Sequence, residues 1–387
     1  MKWLFVDASR KHECTKIKGD AVKMELMNRF QFGMISMLAL FLVCPSQAQD
    51  SKGNRLAVPV QLFEDFSKLY ETELGSVKTC DDRVGLYEYK VCSSSLRNEG
   101  NSPFILYSKG KPSADGERKV APIVVLFHGL SDSPFSVRGI AEHLNNKGFT
   151  VVAPLTPGHG KVNASADMRD PNLQQRWYDH VDSIMSLIAP YSEKTFIGGF
   201  STGGTLATRY MLLHPEEVDG LLLFSGALAL SKSAENLAYI WGMKWVAKIV
   251  DGDFVSNGPH PYRYPDVAGY AGLTLADVIF EVREMLDNTK VSKPIFVAHS
   301  LADAISPYQG VEELMLKVDG EHQVMTVAKS YDTCHQDLVL SSIMMVDLKV
   351  DKTKLNISER CAVPKPNPLF NNMMAMLDYF FQQQLLE

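Results

Sequence analysis

Residues 195–203 read Thr-Phe-Ile-Gly-Gly-Phe-Ser-Thr-Gly, and this stretch is the strongest indication of the fold. Residues 195–199 are an apolar run of the kind that forms a buried strand, and residues 202–214 have a helical pattern. Between them, Gly199-Phe200-Ser201-Thr202-Gly203 is a G-x-S-x-G element. A serine between a strand and a helix is held out at a sharp, strained turn, which requires small neighbours. The stretch therefore predicts an α/β protein that presents the Ser201 hydroxyl at the end of a strand.

The alternation of strand and helix continues on both sides of this stretch. Apolar runs predict buried strands at residues 104–107, 123–127, 150–153, 196–199, 221–224, 295–298 and 324–328. Helical patterns predict helices at residues 135–147, 202–214, 308–318 and 369–385. A further helix is indicated by apolar residues that step by four, three and four: Trp177, Val181, Ile184 and Ile188. This alternation predicts a mostly parallel central sheet flanked by helices.

Composition and charge exclude several classes of protein. The chain has 387 residues, of which 45% are hydrophobic and 22% charged, as in ordinary globular proteins. The formal net charge is −6 and no Lys/Arg-rich tract stands out, so we expect no nucleic-acid partner. We expect an N-terminal extension with a signal peptide over residues 1–48, a second extension over 49–102, and an α/β domain over 103–387.

The N-terminal segment has the features of an export signal. An apolar run at residues 34–43 follows Arg29 and precedes Ser46-Gln47-Ala48, a small-x-small cleavage pattern. The run is shorter than the roughly 20 residues that cross a bilayer. Cleavage after Ala48 would release an unusually long signal peptide if translation began at Met1, so we expect translation to start at Met24 or Met27. We also expect the mature protein to be periplasmic or secreted and to have no stable membrane span. A membrane anchor that is never cut is the alternative, and a lipoprotein anchored through Cys44 is disfavoured by the Val before it.

Four cysteines remain after the predicted cleavage: Cys80, Cys92, Cys334 and Cys361. An even number in an oxidising compartment predicts two disulfides. Proximity along the chain favours Cys80–Cys92 and Cys334–Cys361, although four cysteines allow three pairings and free thiols are the alternative. No Cys/His cluster suggests a metal, and we expect no cofactor.

A serine hydroxyl needs a base, and with this type of elbow the acid and the base follow in the order Ser…Asp/Glu…His. Asp303 comes just after the strand at 295–298, and His335 comes after the strand at 324–328. Both are expected at the sheet edge where Ser201 lies. Other residues compete for these roles: His299, His322, His180 and His143 for the base, and Asp332 and Asp337 for the acid. Chain order and loop placement favour Asp303 and His335.

Two backbone N–H groups are needed to hold the negative oxygen of a tetrahedral intermediate. Thr202, directly after the serine, is expected to supply one. The loop after the strand at 123–127 should supply the other, and we assign it to Leu130. His128 in the same loop is interpreted as a structural histidine that braces the loop.

These motifs together resemble one branch of a known superfamily. His128–Pro134 (HGLSDSP), Pro157-Gly158-His159-Gly160, Trp177 and the Ser201 elbow are similar to bacterial carboxylesterases and monoacylglycerol lipases of the α/β-hydrolase fold, often grouped with serine-aminopeptidase-like hydrolases. The resemblance covers residues 123–335 and implies an N–H from Leu130 and a small helical lid at about 231–275. The long N-terminal part and an insertion at 341–366 depart from the family pattern.

The resemblance and the residues together predict a serine hydrolase that acts on small carboxylic esters through an acyl-enzyme. Cleavage of peptides or amides by the same three residues is the runner-up, and an inactive binding protein on this scaffold is a third hypothesis. Relatives that use an aspartate nucleophile are disfavoured by Ser201. In the lid, Trp241 and Trp245 are four residues apart and either line an acyl pocket or pack on the core. The sequence does not define the oligomeric state.

Overall fold

The computed structural model describes residues 60–80, 88–108, 120–249, 251–267 and 269–385. The predicted signal peptide and start sites lie outside the described residues. Among the helices that are described, none combines the length and the apolar character needed to cross a membrane.

The described residues form one sheet of nine strands in the spatial order β1-β2-β3-β5-β4-β6-β7-β8-β9. The strands are β1 Lys78–Thr79, β2 Glu88–Cys92, β3 Phe104–Leu106, β4 Ile123–Phe127, β5 Thr150–Ala153, β6 Thr195–Phe200, β7 Gly220–Phe224, β8 Ile295–Ser300 and β9 His322–Val327. Strands β4 to β9 are parallel, whereas β1, β2 and β3 add an antiparallel edge. The predicted mostly parallel sheet is confirmed. Because β6, β8 and β9 point the same way, the loops that follow them meet at one edge.

Helices cover both faces of this sheet. They are α1 Val60–Lys68, α2 Glu71–Leu74, α3 Arg138–Asn146, α4 Leu173–Ile188, α5 Thr202–Leu213, α6 Lys232–Ala238, α7 Met243–Ile249, α8 Gly269–Asp287, α9 Gln309–Met315, α10 Met344–Asp347 and α11 Phe370–Leu385. Side chains of α1, α4, α5, α8 and α9 form the core on one face, and those of α3 and α11 form the core on the other. Each fully buried Leu, Ile, Val or Phe contributes about 1.5–3 kcal/mol, so these two layers hold the sheet rigid.

Local details differ from the sequence predictions. The helix expected at 135–147 begins as a 3-10 turn, Pro134–Val137, before α3. The N-terminal helical segment consists of two short helices, α1 and α2. Helix α8 starts at Gly269, so the last turns of the segment 231–275 belong to a helix that packs against α5 and is largely buried.

The remaining lid segment consists of α6, a turn at Gly242 and α7. Ser231 caps α6 by accepting the Ala234 N–H at 3.3 Å. Ion pairs tie both helices to α8: Glu235 binds Arg283 at 2.8 Å, and Lys244 binds Asp277. The lid therefore has a fixed inner face and an outer face that is open to solvent.

The two predicted disulfides are both confirmed. Cys80 is bonded to Cys92, with 5.1 Å between their Cα atoms. Cys334 is bonded to Cys361, with 5.8 Å between their Cα atoms. The first bridge stabilises the antiparallel edge, and the second lies beside His335.

Candidate active site

Strand β6 passes directly into α5 with Ser201 between them. The Ser201 backbone has φ 53° and ψ −117°, and such a sparsely populated conformation costs about 1–3 kcal/mol. Hydrogen bonds hold it there: the Ser201 N–H donates to the Phe224 carbonyl at 3.1 Å, and the Ser201 carbonyl accepts from Gly204 and Ala227 at 2.9 and 3.1 Å. A Cβ at Gly203 would overlap the Phe127 carbonyl, which explains the glycine. The strained serine turn predicted from the motif is present.

Asp303 and His335 are joined by a hydrogen bond of 2.6 Å between Oδ2 and Nδ1. The Asp303 side chain is fully buried, and its Oδ1 accepts the N–H groups of Ile305 and Ser306 at 2.8 and 3.0 Å. A carboxylate only accepts hydrogen bonds, so Nδ1 of His335 carries a proton and Nε2 is left as the basic nitrogen. This is the arrangement that an acid and a base of an acyl-transfer site require.

The Asp303 carboxyl is held in its ionised form. Burial acts to raise its pKa, but the nearby His335 charge, the hydrogen bonds from His335 and Ser306, and His299 together lower the pKa below the usual 3.8. Asp303 therefore stays negative in neutral and mildly acidic solution and can stabilise a protonated imidazole.

His335 lies beside the serine turn. Its ring packs on Phe200, the residue before Ser201, with 4.8 Å between the ring centroids. The loop of Gly129 approaches from the other side, where a Cβ added at Gly129 would stand 3.2 Å from the Cβ of Ser201. The structure therefore gathers Ser201, Asp303, His335 and the loop that carries Leu130 at one edge of the sheet. Thr202 is the first residue of α5, where N–H groups point out of the helix.

Hydrogen bonds fix the loop that carries Leu130. His128 donates from Nδ1 to the Gly129 carbonyl at 2.8 Å and accepts the Thr156 N–H on Nε2 at 3.0 Å. Burial and the neighbouring His159 hold the pKa of His128 well below 6.5, so the ring stays neutral. These contacts fit a histidine that braces the loop. The Tyr264 N–H donates to the Ser131 carbonyl at 2.8 Å, so a residue of the segment 231–275 also holds the Leu130 loop. This contact was not predicted from the sequence.

The other histidines and aspartates that the sequence left open have different partners. His299 lies 3.9 Å from Asp303, but its Nε2 donates to the Ser306 carbonyl at 2.9 Å. The other three histidines lie elsewhere: His143 pairs with Asp378, His180 is buried in α4, and His322 is exposed at the start of β9. Asp332 binds Arg360, and Asp337 accepts backbone N–H groups of Cys334 and Lys365. Only His335, among the histidines weighed, has a ring nitrogen hydrogen-bonded to Asp303.

The two lid tryptophans lie on the outside of the molecule. Trp241 is 98% exposed and Trp245 69% exposed, so neither is enclosed next to Ser201. They do not share a helical face, because Gly242 adopts φ 81° and α7 starts only at Met243. A role in binding an acyl chain stays a prediction.

The described residues contain one group with the spacing of metal ligands. His214, Glu216 and Glu217 have ligand atoms within 4.8 Å of one another. Both glutamates are exposed, and the group follows α5 at the end opposite Ser201. We assign it no role in the candidate active site.

Buried neutral histidines make the fold sensitive to acid. Burial lowers the pKa of His159 and His180 to about 4, from 6.5 in an unfolded chain. The folded state then binds fewer protons, so this stability is present above pH 6.5 and is lost as the pH falls towards 4. Each histidine should lower the free energy of unfolding by about 2 kcal/mol at pH 5 relative to pH 7. Asp132 and Asp337, whose pKa burial raises to about 6, work in the opposite direction and offset part of the loss.

We predict that His180→Leu reduces the difference in unfolding free energy between pH 7 and pH 5 by about 2 kcal/mol. His180 has no hydrogen-bond partner for Nε2 among the described residues, so leucine removes the proton site without breaking a hydrogen bond at that nitrogen. Urea unfolding at the two pH values measures the effect, with the exposed His322→Gln as control. An unchanged pH dependence in His180→Leu would show that this ring does not titrate as described.

Comparisons with known proteins agree with this architecture. Residues 118–267 match the model of a protein family described as serine aminopeptidase, S33. A thermostable monoacylglycerol lipase from Bacillus sp. (strain H-257) is 23% identical over 215 residues, which cover 55% of this chain and 84% of the relative.

Two lipolytic proteins are among the solved structures that are similar to this chain. A monoacylglycerol lipase from Paleococcus ferrophilus is 18% identical, with a TM-score of 0.47 over 72% of this chain and 98% of the other. One of the metagenome-derived lipolytic enzymes LipS and LipT is 22% identical, with a TM-score of 0.48 over 62% of this chain and 93% of the other.

Proposed function

We propose that this chain, which has the α/β-hydrolase fold, cleaves carboxylic esters with Ser201 as nucleophile, His335 as base and Asp303 as the orienting acid. The observation that carries the proposal is the 2.6 Å hydrogen bond between Asp303 and His335 beside the strained Ser201 turn. A serine held out at a strand end next to an oriented imidazole is the constellation that acyl transfer needs.

The reaction proceeds in two halves. Ser201 Oγ attacks the ester carbonyl carbon while Nε2 of His335 takes the hydroxyl proton. The tetrahedral intermediate then breaks its bond to the alcohol oxygen, and His335 gives that oxygen the proton. Water attacks the acyl-enzyme, loses a proton to His335, and releases the carboxylic acid as Ser201 regains its hydrogen. Asp303 remains ionised throughout and stabilises the protonated ring.

The N–H groups of Leu130 and Thr202 are assigned to the negative oxygen of the intermediate. Removing one such donor typically costs about 10²–10³-fold in kcat. The close approach of Gly129 to Ser201 supports this assignment, because it brings the following N–H towards the reacting carbon.

We predict that Gly129→Ala lowers kcat by about tenfold, since a displacement of about 1 Å near the reacting atoms costs about 10²-fold and the shift required here is smaller. A Cβ at Gly129 would stand 3.0 Å from the Phe200 ring and 3.2 Å from the Ser201 Cβ, so the loop or these side chains must give by a few tenths of an ångström. Gly272→Ala is the matched control, because an added Cβ there has no atom within 4 Å. Equal kcat values for the two variants would remove the Gly129 loop from the active site.

The proposed substrates are esters of short or medium acyl chains or monoacylglycerols. The monoacylglycerol lipase relative supports this choice. The test is the rate of purified protein on p-nitrophenyl esters of increasing chain length and on monoacylglycerols, with Ser201→Ala as control. Hydrolysis that depends on Ser201 supports the proposal, and no turnover of any ester contradicts it.

Peptide or amide cleavage is a second candidate, favoured by the match to a family described as serine aminopeptidase. Aminoacyl anilides compared with esters of the same acyl group distinguish the two activities. The third hypothesis, an inactive binding protein, predicts a folded chain that a fluorophosphonate does not label.

We also propose that the protein is exported to the periplasm or secreted. The predicted signal sequence supports this location, and the two disulfides fit an oxidising compartment. Cell fractionation with an antibody, together with N-terminal sequencing of the mature chain, tests it. An uncut chain in the cytoplasm would contradict it.

A further inference from the structure

Residues 341–366, called the strap here, separate the His335 loop from the last helix. We propose that the strap positions His335 on Asp303 through the Cys334–Cys361 disulfide and Arg360, an inference that rests on the proposed function. Neither cysteine nor Arg360 touches the reacting atoms, so they are positioning residues.

The Cys334–Cys361 disulfide is attached to the chain at the residue next to His335. Cys334 directly precedes His335 and is buried, and its partner Cys361 lies in the second half of the strap. Asp337 adds a second tie, because its Oδ2 accepts the Cys334 N–H at 3.3 Å and its Oδ1 accepts the Lys365 N–H at 2.9 Å. The peptide before His335 is therefore fixed to the strap by a bond and by a shared carboxylate.

Arg360 joins the acid loop to the base loop. Its Nη2 donates to the Ala302 carbonyl at 3.0 Å, and Ala302 directly precedes Asp303. Its Nε and Nη2 also donate to Asp332 Oδ1 at 3.1 and 2.9 Å, at the start of the His335 loop. The Arg360 side chain is 50% exposed, so the ion pair by itself adds little stability. Its effect is to set the distance between the two loops.

The strap is itself held by the body of the protein. Met344 and Leu348 pack with Phe135, in the turn that follows the Leu130 loop. The Asp351 N–H donates to the Pro259 carbonyl at 2.8 Å, and Tyr262 donates to the Asp347 carbonyl at 3.2 Å. Cutting the disulfide should therefore leave the strap in place and loosen the segment before His335, which keeps the Asp337 contact and the hydrogen bond from the Ser300 hydroxyl to the Thr333 carbonyl at 2.6 Å.

These contacts predict an effect on the chemical step. A base displaced by about 1 Å reduces turnover by about 10²-fold, whereas substrate binding depends on other groups. A disulfide that only stabilised the fold would lower the melting temperature and leave kcat unchanged in the folded protein.

The experiment compares Cys334→Ala/Cys361→Ala with Cys80→Ala/Cys92→Ala, which removes the distant bridge. Both are assayed well below their melting temperatures. We expect the first variant to lose at least about tenfold in kcat with little change in KM, and the control to retain wild-type kcat. Wild-type kcat in the folded Cys334→Ala/Cys361→Ala variant would overturn the proposal.

A second variant keeps the proposal testable if the double variant does not fold. Arg360→Gln leaves the disulfide intact and should lower kcat, and Arg360→Lys, which retains the charge and one donor group, should recover part of it. A folded Arg360→Gln protein with wild-type kcat would overturn the proposal. An inactive wild type that a fluorophosphonate does not label would instead contradict the proposed function, so the two failures are distinguishable.

Discussion

Replacement of Ser201 by alanine is expected to lower kcat for ester hydrolysis by about 10⁴–10⁶-fold, because no other group can form the acyl-enzyme. The turn is held by backbone hydrogen bonds to Phe224, Gly204 and Ala227, which alanine preserves. The variant should therefore fold like the wild type. Steady-state hydrolysis of a p-nitrophenyl ester, together with thermal unfolding, measures both effects.

Ser225 supplies a matched control for this experiment. It follows β7, has φ 46°, is fully buried, and its Oγ has no hydrogen-bond partner among the described residues. Ser225→Ala thus changes another buried serine with a left-handed backbone, and it should keep kcat within about threefold, as expected for a side chain outside the reaction. Residual activity of Ser201→Ala close to that of Ser225→Ala would exclude Ser201 as the nucleophile.

The second large effect is expected for Asp303→Asn, which should lower kcat by about 10³–10⁴-fold. The carboxylate accepts the His335 Nδ1 proton at 2.6 Å, whereas an asparagine can present its NH₂ group and favour the other tautomer. The ring would then offer a protonated Nε2 to Ser201 and could not act as base. Measurement of kcat and of the rate of fluorophosphonate labelling tests this prediction.

Asp378 is the matched control for Asp303. It also accepts a hydrogen bond from a histidine, His143 Nε2 at 2.7 Å, but on the α3 and α11 side of the sheet. Asp378→Asn is expected to leave kcat unchanged, even where it lowers stability. Equal losses of kcat in the two variants would mean that the effect comes from the fold and not from the catalytic pair.

The local features of the site could be predicted from the sequence, because the groups that produce them are neighbours in the chain. The turn at Ser201 follows from a short apolar run, three nearby glycines and a helical pattern. The meeting of Asp303 with His335 follows from parallel strands whose carboxyl ends share one edge. Proximity along the chain favoured the pairing of Cys334 with Cys361, although four cysteines allow other pairings.

Features that depend on tertiary packing were harder to predict. A spacing of four placed Trp241 and Trp245 on one helical face, but Gly242 in a left-handed conformation separates Trp241 from α7. The antiparallel pairing of β2 with β1 and with β3 was not predicted, because strands of two to five residues show little alternation of apolar and polar side chains. The contacts of Arg360 with the loops of Asp303 and His335 had no signal in the sequence, because an exposed arginine in an insertion is common.

The most direct test of the central claim is to react the folded wild-type protein with a fluorophosphonate and map the modified peptide by mass spectrometry. We predict one adduct per chain, on Ser201, that is absent from Ser201→Ala and forms much more slowly in Asp303→Asn. A folded, ester-cleaving wild type that carries its adduct on another residue, or none at all, would contradict the account.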